Sequence, residues 1–303
     1  MAGKLLVAGS VAYDCIETPL ASEDYILGGS ASYAALAASY FSPAMMCGIV
    51  GNDFKKSDVE RLKARSIDIS NVVFHPSKPT FFWRGKYFEN FNSRETLDVR
   101  LNAYEDYKPE LNESARSAEY VLLGNISPTI QASVFGMLDS PKFTVADTMD
   151  LWINNEREAL VDLVRRVDLL ILNDSEAKLF TGENNIIRAG RALLKLGAKC
   201  ALVKAGEYGS MLFHERGFFV APAYPVDDLR DPTGAGDSFA GALAGRIAAI
   251  GDFGFESLKK AMLYASATAS MTVESFSCYK LEENGMDEIE RRKNYIEKIS
   301  RAD

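Results

Sequence analysis

The sequence is poor in the residues on which most metal and thiol chemistry rests. Four cysteines, Cys15, Cys47, Cys200 and Cys278, stand far apart and form no Cys-x-x-Cys pair. That spacing argues against a disulfide framework or a zinc site and for buried free thiols. Two histidines, His75 and His214, are too few for a histidine-rich metal centre. No run of about 18 apolar residues occurs, so no membrane-spanning helix is expected. The first residues, MAGKLLVAGSVAYD, lack the apolar stretch and cleavage pattern of a secretory leader, so a cytoplasmic protein without a membrane partner is expected. A surplus of positive charge is also missing. The net charge of −8 speaks against nucleic acid as a partner, but not against nucleotides, whose phosphates local amides and single cations can hold. Two nucleotide signatures are absent as well. No G-x-x-x-x-G-K-[ST] loop occurs, and VAGSVAYD lacks the G-x-G-x-x-G spacing of a dinucleotide-binding dehydrogenase.

What is present is an ordinary globular composition, 47% hydrophobic and 25% charged over 303 residues, enough for a large core. Short apolar runs (KLLVAGS, AMMCGIV, YVLLGNI, KFTVAD, VDLLILN, KCALVKAG) alternate with stretches whose apolar residues recur every three or four positions. This predicts an α/β fold with a mostly parallel sheet covered by helices on both faces. One domain over residues 1–303 is expected, since no linker, repeat or low-complexity segment breaks the chain. Two stretches depart from the pattern: residues 15–27 are irregular, and residues 79–107 are aromatic, charged and roughly alternating. They are read as a small β-lid over the strand ends, with lid pairing into a homodimer as an option.

DPTGAGDSFAGALAGR, Asp231 to Arg246, carries the chemistry. Its glycines let the backbone turn tightly and approach a ligand, and a helix starting there adds the positive end of its dipole. Several amide N–H groups of the turn can then point at one spot and make an anion hole. Asp237 would repel a resting phosphate inside it. It makes sense facing a neighbouring hydroxyl, taking the proton while the amides hold a transferring phosphoryl group. A plain acidic residue complementing the helix dipole is the simpler alternative. Asp231 reads equally as a ligand for a monovalent cation or as an Asp-Pro turn. The small residues from Ala240 to Gly245 are expected to let the helix pack closely on the sheet.

DPTGAGDSFAGAL resembles the C-terminal signature of the ribokinase-like, or PfkB, family of carbohydrate and nucleoside kinases, and further motifs in order extend the resemblance over nearly the whole chain. AGSVAYD puts Asp14 where the family binds substrate hydroxyls, and LGGSASYAALAASYF resembles the glycine-glycine signature with Gly28 and Gly29. LNDSEAKLFTG carries an N-x-x-E element, Asn173 and Glu176, which in the family organises Mg2+ and phosphates through water. VKAGEYGSML resembles the turn beside the nucleotide, through Lys204, Gly206 and Gly209, and ADTMDLW sits where the family often has Asp-Pro-Asn. Taken singly, each has a plainer reading: Asn173 and Glu176 as a helix cap and first-turn acid, Asp14 as a turn residue, the two glycines as a strand-helix joint. Their joint order favours the kinase reading. The resemblance implies a ribokinase-like three-layer sandwich with Asp237 as base, the amides of Gly234, Ala235, Gly236 and Asp237 as the anion hole, ATP and Mg2+ as cofactors, and K+ as an optional one.

The sequence also departs from the family. Tyr33 replaces a frequent asparagine that binds sugar hydroxyls, Ser30 replaces the lysine of ribokinases and phosphofructokinases, and Ser266 stands in a familiar asparagine-bearing helix. Ala267, Ser270 and the Phe276 turn are candidates for the adenine wall. Asn125 reads equally as a substrate ligand or a strand-end cap. Arg84, Lys86, Arg94 and Arg100 are candidates for an anionic substrate, with at least two expected to be solvated. Phe81, Phe82, Trp83, Tyr87, Phe88 and Phe91 are expected mostly to bury the lid, some to stack on substrate. The expected activity is transfer of the γ-phosphoryl group of ATP to a hydroxyl, as a hydroxymethyl, of a sugar or polyol. A nucleoside kinase is the first alternative and a non-catalytic nucleotide-binding regulator the second.

Overall fold

The computed structural model describes residues 3–91 and 93–301. Met1, Ala2, Asn92 (within the expected lid), Ala302 and Asp303 lie outside the described residues. The strands are β1 (Leu5–Ala8), β2 (Ala12–Glu17), β3 (Ser22–Gly28), β4 (Ala44–Val50), β5 (Asp68–Phe74), β6 (Phe81–Tyr87), β7 (Arg94–Arg100), β8 (Tyr120–Leu123), β9 (Phe143–Asp147), β10 (Leu169–Asn173), β11 (Cys200–Lys204), β12 (Ser210–His214) and β13 (Gly217–Ala221). Nine of them form one sheet in the order β13-β12-β11-β10-β9-β8-β1-β4-β5. It is parallel from β5 to β11, with β12 and β13 added antiparallel.

The apolar runs are continuous because both faces are covered. In β1, Leu5 and Val7 join one core cluster while Leu6 and Ala8 join another. In β10, Leu169 and Ile171 go one way and Leu170 and Leu172 the other. A strand with period-two geometry and two buried faces has no position left for a polar residue. No helix among the described residues is long and apolar enough to cross a membrane.

The small-residue helix Ala235–Ile250 lies under this sheet, but its glycines serve a different contact from the one expected. A Cβ on Gly241 would sit 2.1 Å from the Ala34 carbonyl oxygen, and one on Gly245 2.8 Å from that of Ala38. The close approach is therefore to the helix Ser30–Ala38. The two helices that follow the two glycine signatures are packed backbone to backbone, and this fixes one signature relative to the other.

The second sheet has the order β3-β2-β6-β7. Its register sorts the side chains. Asp14 pairs with Trp83, Trp83 with Val99, and Tyr87 with Arg94, so these share a face; Cys15, Arg84, Lys86, Glu95 and Asp98 take the other.

Candidate active site

The segment from Asp231 to Asp237 is built by hydrogen bonds that leave few choices. Asp231 is fully buried, and its Oδ1 accepts the Thr233 N–H at 2.9 Å. Gly234 caps the helix at φ 76°, and a Cβ there would stand 2.3 Å from the Tyr33 ring. Only glycine satisfies both the left-handed backbone and that packing. The first bond closing the helix runs from the Ser238 N–H to the Gly234 carbonyl at 2.8 Å. The amides of Gly236 and Asp237 precede it at the helix N-terminus, and that of Asp237 also meets its own carboxyl. The Ala235 amide, expected in the same set, turns back to the Pro232 carbonyl at 3.2 Å. A tight turn before the helix consumes that donor, which leaves it no part in the set the sequence suggested.

The loop is a shared wall between two cavities of about 560 Å³ each. Gly234 and Asp237 line the one beneath the four-stranded sheet, which is accordingly a lid; Ala235 and Gly236 line the other. Burial pushes the Asp237 carboxyl up to about 7, with Asp147 adding to the rise and Lys204 and Arg94 opposing it.

Asp14, Gly29, Tyr33 and Asn125 all line the lid cavity. Burial, then Asp231 and Asp237, push Asp14 up to about 8 against the pull of Arg94. Gly28 makes room for it: a Cβ at that position would lie 1.9 Å from Asp14 Oδ2. Tyr33 is buried, its ring under Gly234 and its hydroxyl without a partner. Asn125 Oδ1 accepts the Trp152 Nε1–H at 2.9 Å, fixing an indole that also lines the cavity. Of the four candidate cations, Arg94 lines the cavity. Arg84, Lys86 and Arg100 pair with Asp24, Glu17 and Asp98. Phe81 and Trp83 line it too, Phe82 is buried, and Phe88 is exposed.

A family model described as pfkB family carbohydrate kinase matches residues 2–284. The chain belongs to the pfkB family. Its members are phosphotransferases whose acceptor is an alcohol. The chain is 29% identical to a cytidine kinase of Thermococcus kodakarensis over 80% of its own length and 87% of the relative's. It is 26% identical to a 2-dehydro-3-deoxygluconokinase of Thermoproteus tenax, over 72% of each chain. The fold is that of Arabidopsis thaliana ribokinase, solved with ribose and ATP: TM-score 0.78 and 21% identity, covering 97% of this chain and 99% of that one.

Against that family pattern, the second cavity gathers Lys204, Gly206, Gly209, Ser266 and Ser270. The serine hydroxyls are committed elsewhere: Ser266 donates to the Pro222 carbonyl at 3.1 Å, and Ser270 donates to Ala267 at 2.7 Å and accepts from Arg292 at 3.0 Å. Ala267 is fully buried, and Phe276 packs on the lid cluster of Ile16, Ile26 and Tyr87, so neither builds the wall expected of it. Phe91, read as a lid residue, reaches this cavity instead.

Asn173 and Glu176 form a reciprocal capping box, with bonds of 2.8 and 2.7 Å, so the plain reading of this pair as a helix cap is present in the structure. Glu176 is nonetheless buried and coupled to Lys204 and Asp147; burial pushes its carboxyl up to about 7. Asp147 was missed by sequence reasoning. It is buried and accepts from Lys204 Nζ at 2.9 Å. Burial works against the Lys204 ammonium, but Asp147, Glu176 and Asp237 hold it above the ordinary lysine value. The available signal was ADTMDLW itself, where an aspartate ends an apolar strand; that strand lies one strand removed from the one that ends in Lys204, with β10 between them.

Proposed function

We propose that this chain is an ATP-dependent kinase that phosphorylates a hydroxymethyl group of a nucleoside. One observation carries the choice of acceptor. Both tryptophans of the chain, Trp83 and Trp152, come from separate elements into the cavity that also holds Asp14 and Asp237. Phe81, Tyr104 and Leu151 extend the apolar lining. Aromatic faces suit a flat base, and buried carboxylates suit hydroxyls.

Asp237 takes the proton of the acceptor hydroxyl, and a carboxyl poised near 7 suits that task. The Gly236 and Asp237 amides, with the helix N-terminus behind them, hold the transferring group. Asp14 accepts from acceptor hydroxyls, with Gly28 and Gly29 bringing backbone close and Tyr33 and Asn125 shaping the wall. Gly206, Gly209, Ser266 and Ser270 form the nucleotide's wall, and Lys204 supplies its cation. Bound Mg2+ would neutralise phosphate charge, with Asn173 and Glu176 holding it through water. The Asp231 Oδ2, buried and without a partner, fits a monovalent cation such as K+.

ADP formation with ATP and Mg2+ across nucleosides, sugars, polyols and sugar acids tests this reading. Turnover with a nucleoside at the lowest KM supports it. Turnover with sugars or polyols alone moves the acceptor to the second reading, which the 2-dehydro-3-deoxygluconokinase relative favours. A folded protein that binds ATP and turns over nothing overturns both.

A further inference from the structure

The helix Met286–Ile299 begins beyond residues 2–284, the stretch that matches the family model. It nevertheless sends a buried cation towards the second cavity. Arg292 is 5% exposed. Its Nε donates to Glu288 at 2.6 Å, its Nη1 to Ser270 Oγ at 3.0 Å and its Nη2 to Glu274 at 2.7 Å. A planar guanidinium bonded at all three nitrogens is fixed in orientation, and its flat face is left for an aromatic ring. That ring is Tyr224, whose centroid lies 4.7 Å from the guanidinium carbon. Tyr295 of the same helix meets the Tyr224 ring edge-on at 5.7 Å, and Arg291 Nη2 donates to its hydroxyl at 3.2 Å.

Tyr224 belongs to residues 222–230, which lead from β13 to the glycine loop and form neither helix nor strand. The ends of this segment are tied down: Ser266 Oγ donates to the Pro222 carbonyl at 3.1 Å, and the Arg230 N–H to the Val273 carbonyl at 2.8 Å. Between those ends, among the described residues, Tyr224 is the one that packs on the large core cluster. Ala223, Pro225, Val226 and Leu229, on either side of it, line the second cavity. Such a lining suits a flat base, and phosphates belong with Lys204 and Gly236 in the same cavity. A segment left loose would have to be ordered each time a nucleotide bound, whereas a pinned one is preorganised.

We infer that Arg292 is a positioning residue for the donor nucleotide: it pins Tyr224, and Tyr224 holds residues 223–229 in the shape that receives the base. Arg292 itself does not line the cavity and acts through the ring. The inference rests on the reading of the second cavity as the nucleotide's.

Arg292→Met tests the role in the full chain, by calorimetry with ATP and Mg2+. The loss of a desolvated cation–π contact sets the expected rise in the ATP Kd at about 5–30-fold. Inorganic tripolyphosphate, measured by its displacement of ATP, carries no base and is expected to bind wild type and variant alike. The kcat at saturating ATP and the acceptor KM are expected to stay within about twofold of wild type. Arg292→Lys keeps a cation beside the ring and should recover part of the loss. An unchanged ATP Kd overturns the inference. So does an equal loss for tripolyphosphate, which would make Arg292 a support of the fold at large. Arg292→Met also takes a shared partner from Glu274 and Glu288; should it not fold, Tyr224→Leu decides, because it leaves those bonds in place. Tyr224→Leu is expected to show the same split between ATP and tripolyphosphate. Where both fold, Arg292→Met is expected to add little in the Tyr224→Leu background, because the two act through one contact. Full ATP affinity in Tyr224→Leu, or additive losses, overturns the inference. ATP that fails to bind wild type sinks the nucleotide reading of the cavity itself, whereas ATP bound equally by wild type and both variants sinks this inference alone.

Discussion

The two cavities have the same volume and opposite constructions. The lid cavity draws its chemistry from side chains scattered over the chain: Asp14, Arg94, Asn125, Trp152 and Asp237. The second cavity takes much of its wall from Gly206, Gly209, Pro232, Ala235 and Gly236, with Lys204 as its cation; of its three serines, Ser266 and Ser270 are hydrogen-bonded elsewhere and the buried Ser210 hydroxyl has no partner. A cavity of the first kind recognises its ligand through replaceable groups, and a cavity of the second kind through backbone shape. The acceptor is therefore the part of the reaction that substitution can redirect, and the nucleotide the part that it can only obstruct.

The largest effect is expected at the group that faces the acceptor from the shared wall. Asp237→Asn should lower kcat by about 10²–10⁴-fold, the usual range for a general base, with nucleotide binding retained. The wild-type kcat should also show an acid limb. Asp237 must be ionised to accept a proton, and its carboxyl stands near 7, so kcat falls as pH drops through that value. A kcat–pH profile without that limb, or a variant with near wild-type turnover, would remove Asp237 from the base position.

Gly234 tests whether the wall is truly shared. Gly234→Ala places a Cβ at φ 76° and against the Tyr33 ring. The left-handed backbone costs about 1–2 kcal/mol, and overpacking adds roughly 1–3 kcal/mol. The loop is expected to yield, lowering Tm and raising both KM values together. A rise in one KM alone would show that the loop belongs to one cavity.

Asp14 probes the side-chain cavity by itself. Burial raises its pKa from 3.8 in the unfolded chain to about 8 in the fold. Its contribution to stability is full below the unfolded value and is lost as pH rises towards 8, because folding then holds a proton that the unfolded chain has released. Asp14→Asn carries no such term. It should be at least as stable as wild type near pH 8, measured by thermal unfolding, while the acceptor KM rises roughly 2–10-fold, as expected for a lost hydrogen bond to a neutral carboxyl. A less stable variant at that pH would mean that Asp14 is ionised and well paired in the fold.

What the sequence made legible follows the same division. The parallel sheet showed because doubly covered strands leave continuous apolar runs, while β5 and β13, at the sheet edges and partly exposed, gave no such run. The glycine loop was legible because backbone demands leave local signatures. The pairing of Asp147 with Lys204, 57 residues apart, was not, because neither residue has an unusual local context. The four lid cations look alike in sequence; only strand register separates Arg94 from Arg84 and Lys86. The N-x-x-E element is ambiguous in sequence, since a capping box and a buried acid beside Lys204 share one spelling.

The smallest expected effect is the sharpest test of the comparison. Ser266 lines the second cavity, proposed for the nucleotide, yet its hydroxyl donates to Pro222. If backbone shape recognises the nucleotide, Ser266→Ala should leave the KM for ATP within about threefold, and stability should fall by only about 0.5–1.5 kcal/mol for the lost bond. Bulk on the same wall should matter far more: Ala269→Leu fills space where Ala269 lines the cavity, and should raise the KM for ATP without touching the acceptor KM. A tenfold or larger rise in Ser266→Ala, on the order of 1.4 kcal/mol in binding, would mean that the hydroxyl leaves Pro222 for the nucleotide, and that both cavities recognise their ligands through side chains after all.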